Sequence, residues 1–478
     1  MKKLQLSNTP LLKRIGEIAD KESVQAFVVG GFVRDAIMKR NRSKFDIDIV
    51  VTGDGVAFAK KVAKVFRKKN VVTFEKFGTA QVYLPLEKNG EESKVEFVGA
   101  RKEQYEQHSR KPSVETGTIE EDLSRRDFTI NALAVSLNKE NYGEIVDVFS
   151  GRDDIERKIL RTPLEPSATF SDDPLRMMRA IRFASELQFA IEENTFEAIC
   201  AMRERISIIS QERITDEFFK ILASPKPSVG LRLLLKTKLL EIIFPEVAQM
   251  VGQEQRKDYH HKDVFFHTLK VVDNIALQTE NVWLRFTALM HDIAKPRTKA
   301  FDENVGWTFH GHEEIGARMQ KRIFKKLRLP LEHLAYVEKL VRLHLRPMVL
   351  VKVEVTDAAI RRLLFECGED TDDLMLLCRA DITSQNPDRV AEYLNNYDIV
   401  VEKMKEVEER DQLRAWRPPV MGEEIMSVCN IPPGKLVGKL KMLIEEEILE
   451  GRIPNDHDAA LRFLLTVKDE VIFHERAV

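Results

Sequence analysis

Cysteine is scarce in this chain of 478 residues. There are four, Cys200, Cys367, Cys378 and Cys429, with no Cys-x-x-Cys pair, so neither a disulfide framework nor a thiolate zinc site is indicated. A reducing cytoplasm is the expected setting. Long apolar runs are missing as well: no segment approaches the roughly 18 to 20 apolar residues of a membrane span. The opening MKKLQLSNTP has no apolar stretch of the secretory kind, so no membrane partner is expected. There is no internal repeat and no low-complexity tract. An excess of one charge is also absent, since 75 Lys and Arg against 77 Asp and Glu leave a net charge of −2. Any RNA partner must therefore be held by local basic patches, for which residues 60–69 and the arginines between Arg101 and Arg182 are candidates. What remains is a globular composition, 43% hydrophobic and 32% charged, with ample core and a length that fits three or four domains.

Two regimes of patterning divide the chain. Up to about residue 150, β-rich runs (AFVVG, DIDIVV, VVTFEKF, AQVYLPL, KVEFVGA, EIVDVF) alternate with helical patterns at 54–69 and 129–138. After residue 170 almost everything has helical periodicity. The fold class is α+β at the front and helical behind it, with expected divisions at 1–150, 151–255, 256–385 and 386–478. Breaks fit near 150–170, 224–228, 255–262 and 384–390. The polar stretch Glu103–Glu121 reads as a long mobile loop.

Three motifs in the front half carry chemistry. In AFVVGGFVRDAI a buried strand meets the turn Gly30-Gly31 and a helix start, which would expose backbone N–H groups to an anion. FDIDIVV follows, and its i, i+2 spacing puts Asp46 and Asp48 on one strand face with Ile47 and Ile49 on the other. Adjacent carboxylates repel unless a hard cation lies between them, and Mg²⁺ shared with substrate phosphates fits; a solvated strand edge is the plain alternative. Glu96 could add a third carboxylate or simply face water. EDLSRRDFTINALAV brings Arg125, Arg126, Asp127 and Asn131 to one helix start. Guanidinium forks suit a triphosphate, while a carboxylate with an amide suits ribose hydroxyls, although Asp127 also fits a plain N-cap. In FSDDPLRMMRAIRFASEL, Asp173 and Arg176 share the face of a helix opened by Pro174. Together they could accept from an exocyclic amino group and donate to a ring nitrogen, which admits cytosine and adenine and rejects uracil and guanine. The alternative there is a capped helix with Arg176, Arg179 and Arg182 on a wet face.

Taken in order, GGFVRD, FDIDIVV, EDLSRRDFTINALA, VDVFSGRDDI and DDPLRMMRAIRFASEL resemble the bacterial tRNA nucleotidyltransferases, the CCA-adding enzymes, and their poly(A) polymerase relatives. The resemblance is dense over the first 240 residues. It implies a polymerase-β-like head with a mixed sheet, then a helical neck, body and tail, and addition of C, C and A to tRNA 3′ ends from CTP and ATP. By position, it implies metal-bound Asp46 and Asp48. Gly30, Gly31 and Arg34 would take the triphosphate, Asp127 and Asn131 the ribose, and Asp173 with Arg176 the base; Arg125, Arg126 and Arg179 complete the nucleotide-binding set. The base-reading motif usually begins Glu-Asp, whereas here it begins Asp172-Asp173. SQERITDEFFKIL, with Glu212, Arg213 and Glu217, resembles the following motif, which braces the neck. Close alternatives are a poly(A) polymerase or a partial, CC- or A-adding, enzyme.

The second half resembles the HD phosphohydrolase superfamily through His267, His291-Asp292 and Asp381, with His312 and His344 as implied ligands of a second ion. That resemblance implies a divalent metal of unstated identity, and a site that is either active or vestigial. A phosphohydrolase with a tRNA-binding head is the reading of a different class, against which intact Asp46 and Asp48 argue. Lys295, four residues after His291, would share its helix face and could contact phosphate. MGEEIMSVCNIPPGKLVGKL resembles the family's C-terminal part. Its PPGKL could offer helix-start N–H groups to an RNA phosphate or be a proline-started structural helix.

Overall fold

The computed structural model describes residues 3–4, 6, 9–40, 46–75, 78–86, 92–104, 113–253, 263–304, 306–352, 356–384, 386–411 and 419–476. Its backbone divides into two compact units, Met1–Pro245 and Glu246–Val478. The expected break at 255–262 lies outside the described residues. No described helix is long and apolar enough to cross a membrane.

The first unit is built on a mixed sheet. Its strands are β1 (Ala26–Val29), β2 (Ile47–Val51), β3 (Val72–Phe74), β4 (Thr79–Pro85), β5 (Glu92–Gly99), β8 (Ala134–Ser136) and β9 (Ile145–Val146), in the order β3-β4-β5-β2-β1-β8-β9. β2 and β5 run parallel and the other neighbours antiparallel. β-Branched alternation explains the pleat: Ile47, Ile49, Val95 and Phe97 are fully buried on one face, where Phe58 of the helix Gly55–Val65 meets the Phe97 ring at 5.8 Å. On the other face Phe27, Val29, Val50 and Ala134 pack with Ile119 and Leu123 of the helix Ile119–Ser124.

Two expectations need correcting. The polar stretch Glu103–Glu121 contains ordered elements: β6 (Arg101–Gln104) pairs antiparallel with β7 (Ser113–Thr116), and Ile119–Ser124 is a helix held by a Thr118–Glu121 capping box. That pairing rests on backbone hydrogen bonds between residues without apolar alternation, so no hydrophobic period betrays it; Pro112 and its neighbours 105–111 lie outside the described residues. The helical pattern at 129–138 is instead a single 3₁₀ turn, Thr129–Asn131, followed by β8. β8 is buried at every position between β1 and β9, and a continuous apolar run of that kind has no period to separate strand from helix.

Helices dominate from Gly151 onward in this unit, with Leu175–Leu187 packed against Gln211–Leu222 and Pro227–Lys236. Among its described residues the second unit is helical apart from the small strand pair Ala300–Asp302 and Gly306–Thr308. At its C-terminal end, Leu440, Ile444 and Ile448 recur every four residues along the helix Lys435–Leu449. They bury one stripe against Ile425, Ala460 and Leu464.

Candidate active sites

The strand register assembles the first site. Asp48 pairs across with Glu96 on β5 and Val29 on β1, so the two acids sit side by side at the end of β1, where the chain turns at Gly30. Gln81 on β4 donates to Glu96 at 3.0 Å, and Lys94 lies 3.4 Å from Asp46, which is open to solvent just before β2 begins. Burial pushes the Asp48 carboxyl up to about 6, and Glu96 and Asp46 add to that push while Arg126 opposes it. Carboxylates that repel one another this way fit a hard divalent cation. Gly30 has φ 73°, and a Cβ there would lie 3.1 Å from Nη1 of Arg126 and 3.7 Å from Oδ2 of Asp48. The bare glycine thus leaves room where the turn, the guanidinium and the acid meet.

Behind this face runs a buried chain of polar contacts. Arg34 donates to Asp35 at 2.9 Å and to the Asn131 oxygen at 2.8 Å; the Asn131 amide donates in turn to Asp127 at 3.1 Å. Arg179 closes the chain on the second Asp127 oxygen, at 2.8 Å from Nε. Burial disfavours the Asp127 charge, but Arg179 and the Asn131 hydrogen bond outweigh it and hold the carboxyl down at about 2. Asp127 is not the N-cap, a place that Phe128 takes before the 3₁₀ turn; it ties that turn to the helix Leu175–Leu187. Arg34 is buried and directed at Asn131. Phe183, one turn after Arg179, is faced by the guanidiniums of Arg34, Arg179 and Arg182 at 5.2, 5.4 and 4.0 Å from its centroid.

The base-reading candidates flank the same helix start. Asp173 caps it by accepting from Leu175 N at 3.1 Å and meets Arg213 at 3.2 Å, while Arg176 donates to the backbone oxygen of Arg125 at 2.6 Å. Arg182 bonds Glu217 at 2.6 Å, which joins the neck motif to this helix. Asp122 is among the polar residues that escaped the sequence reading. It is fully buried and accepts from both Arg125 and Arg126. Its i, i+3 and i, i+4 spacing to two arginines is the only trace it leaves in the sequence.

The second site lies wholly in the second unit. His267, His291 and Asp381 offer ligand atoms within 4.8 Å of one another, as do Asp292, His312 and His344. Asp292 links the two groups, its Oδ2 at 3.2 Å from His291 and its Oδ1 at 3.3 Å from His312. Three rings are aimed by one device: Nδ1 of His291, His312 and His344 each bonds the backbone oxygen three residues earlier at 2.7 Å, turning Nε2 inward. Those three Nε2 atoms are buried without a hydrogen-bond partner, as donors aimed at a metal ion would be. Burial opposes a charge on His291, yet Asp292 and Asp381 push it up to about 10; burial holds His344 down to about 3. A cavity of about 900 Å³ opens on these ligands, with Trp307, Phe309, Tyr393 and Tyr397 in its wall.

Lys295 does reach this site, its Nζ 2.7 Å from Asp292, but not along a shared helix. The helix Val282–Met290 ends at His291, and a new one starts at Lys295 with Pro296 in its first turn. A proline at 296 has no N–H for the carbonyl of residue 292 and forces that restart.

Comparison with known proteins gives three family matches along the chain. Residues 26–161 match the Poly A polymerase head domain, residues 188–250 the family described as "Probable RNA and SrmB- binding site of polymerase A", and residues 264–386 the HD domain. The A-adding tRNA nucleotidyltransferase of Deinococcus radiodurans is 30% identical over 71% of this chain and 78% of its own length. The CC-adding enzyme of Thermus thermophilus is 32% identical over 72% and 76%, and the CCA-adding enzyme of Enterococcus faecalis 27% over 95% and 94%. The solved structure of the Bacillus stearothermophilus CCA-adding enzyme in complex with CTP superposes with a TM-score of 0.66 at 22% identity, covering 99% of this chain and 100% of that one.

Proposed function

The chain belongs to the tRNA nucleotidyltransferases that carry a poly(A) polymerase head domain, and from that premise we propose that it adds C, C and A to tRNA 3′ ends from CTP and ATP without a nucleic-acid template. The observation that carries the reading is the meeting of Asp46, Asp48 and Glu96 with the Gly30 turn and Arg126 on one end of the sheet. We assign residues 1–150 to the transferase head, 151–255 to the neck, 256–385 to the HD body and 386–478 to a tail that helps hold tRNA, acting in the cytoplasm.

Mg²⁺, held by Asp46 and Asp48 with Glu96 beside them, would supply the charge neutralisation that an attack of the primer 3′-hydroxyl on the α-phosphate requires. The protein's own part is placement. The Gly30-Gly31 turn lets phosphate oxygens approach the backbone, and Arg125 and Arg126 offer guanidinium donors to the triphosphate. Asp127 and Asn131 meet the ribose, with Arg34 and Arg179 holding them at the correct angle. Asp173 and Arg176 read the base edge, exchanging their contacts with Arg213 and the Arg125 carbonyl for contacts with cytosine or adenine.

The test is incubation with tRNA lacking its 3′ end, with CTP and ATP singly and together. Two C residues from CTP alone and complete CCA from both are expected. A product that stops at CC with both nucleotides present, or addition of A only to tRNA already ending in CC, replaces the reading with a partial enzyme; long A tails replace it with a poly(A) polymerase.

The HD domain has a reading of its own. Its two candidate ligand groups are linked by Asp292, and the unpartnered Nε2 atoms of His291, His312 and His344 fit two divalent cations over a cavity able to take a phosphate ester. A phosphohydrolase activity follows, tested on 2′,3′-cyclic nucleotides and 2′-nucleotides with Mn²⁺, Ni²⁺ or Mg²⁺. A protein inert on all of them with every metal has only a vestigial site.

A further inference from the structure

Asp122 occupies an unusual place. It lies in the short helix Ile119–Ser124 with its side chain wholly removed from solvent, and each carboxylate oxygen serves a different arginine. Oδ1 accepts from Arg125, at 3.0 Å from Nε and again from Nη2; Oδ2 accepts from Arg126, at 3.3 Å from Nε and 3.0 Å from Nη2. Burial opposes the charge on this acid, but the Arg126 and Arg125 guanidiniums outweigh it and hold the carboxyl below the usual range. Both arginines remain partly exposed, at 19% and 17% of the side chain, so the acid sits behind them and they face outward.

A guanidinium is a planar fork, so engaging its Nε and Nη2 edge fixes where the remaining nitrogen points. For Arg126 that nitrogen is Nη1, which stands 3.1 Å from the position of a Cβ on Gly30, above the turn and beside Asp48. Arg125 extends the arrangement through its backbone, because its carbonyl accepts from Arg176 at 2.6 Å. One buried carboxylate therefore sets the direction of the arginine over the glycine turn and holds the guanidinium of its neighbour beside it.

We propose that Asp122 is a positioning residue for nucleotidyl transfer, acting through Arg125 and Arg126 to present their guanidiniums to the nucleotide triphosphate. The proposal rests on the reading that these two arginines meet the triphosphate, and the experiment separates the two claims. Steady-state addition is measured on tRNA lacking its 3′ end with CTP, and on tRNA ending in CC with ATP, using the full chain. Asp122→Asn keeps the size but removes the charge. Loss of such a supporting partner typically costs about 10- to 100-fold. KM for CTP and KM for ATP are expected to rise by that much and by the same factor, since the triphosphate is common to both, with tRNA affinity unchanged. In the background Arg125→Ala with Arg126→Ala, the same Asp122→Asn change is expected to raise KM no further, because its effect passes through the missing groups.

A folded Asp122→Asn protein with KM within about two-fold of wild type overturns the proposal, and so does an effect that is fully additive with the arginine pair. An unchanged KM in the arginine pair alone overturns the triphosphate assignment instead. Should Asp122→Asn fail to fold, Arg126→Lys decides: an ammonium keeps the charge but cannot both bond Asp122 and stand over Gly30. Its KM is expected to rise about ten-fold, and a wild-type KM for both nucleotides rejects the idea.

Discussion

Replacing Asp127 with Asn tests the polar chain behind the transferase site. The carboxylate is buried, accepts from Phe128 N at 2.9 Å, from Asn131 and from Arg179, and has its pKa held down at about 2 against an ordinary 3.8. Those values differ by roughly 2 units, and at 1.36 kcal/mol per unit the native contacts favour the charged form by about 2.5 kcal/mol. Asn keeps the volume and one acceptor but loses the charge opposite Arg179, so the variant is expected to be less stable by about that amount at neutral pH. The sign of the pH dependence follows from the depressed folded value: the contribution is complete above the unfolded pKa near 3.8 and disappears as pH falls through about 2. The gap between wild type and Asp127→Asn should be constant from pH 8 to pH 5 and close on further acidification. Urea unfolding followed by far-UV circular dichroism measures it. All three tryptophans, Trp283, Trp307 and Trp416, lie beyond the first unit, so tryptophan fluorescence is the internal control and should not report the loss. A gap below about 0.5 kcal/mol at pH 7, or one that persists unchanged at pH 2.5, refutes the reasoning.

Asp48→Ala and Asp46→Ala should each reduce CMP and AMP incorporation to below about one percent of wild type, the loss of several kcal/mol of barrier lowering, while tRNA binding in a filter assay is retained. Asp173→Asn, which can still cap the helix at Leu175, should relax discrimination against UTP and GTP; equal loss of rate with all four nucleotides would reject base reading at this position. His291→Ala combined with Asp292→Ala should remove metal bound by the second unit, counted by elemental analysis, and any phosphohydrolase activity with it. CCA addition should survive, and its loss in a folded double variant would mean that the HD domain contributes to transfer or to tRNA binding.

What the sequence makes legible depends on how the chemistry is spelled. Asp48 stands on β2 and Asp46 just before it, with buried Ile47 and Ile49 between and beyond them, so period and charge point to the same face. The candidate HD ligands are legible through residue types that stand in an order resembling the HD superfamily, and the structure brings them into two close groups. Other features are invisible because they arise only on pairing. Glu96 joins Asp48 across 48 residues through the parallel register of β2 with β5, and nothing local in VEFVGA selects that register over one that turns it to water. Arg34 reads as a phosphate ligand from its place after a glycine turn, but the approach of Asn131, across 97 residues, gives its guanidinium a buried partner. Asp122 is the sharpest case. A sequence shows an acid three and four residues before two arginines, which ordinarily describes a solvated helix face of little energetic weight. Burial reverses that weight: an acid sealed beneath two guanidiniums cannot be removed without releasing both, so a spacing that looks like surface decoration becomes a determinant of where the arginines point.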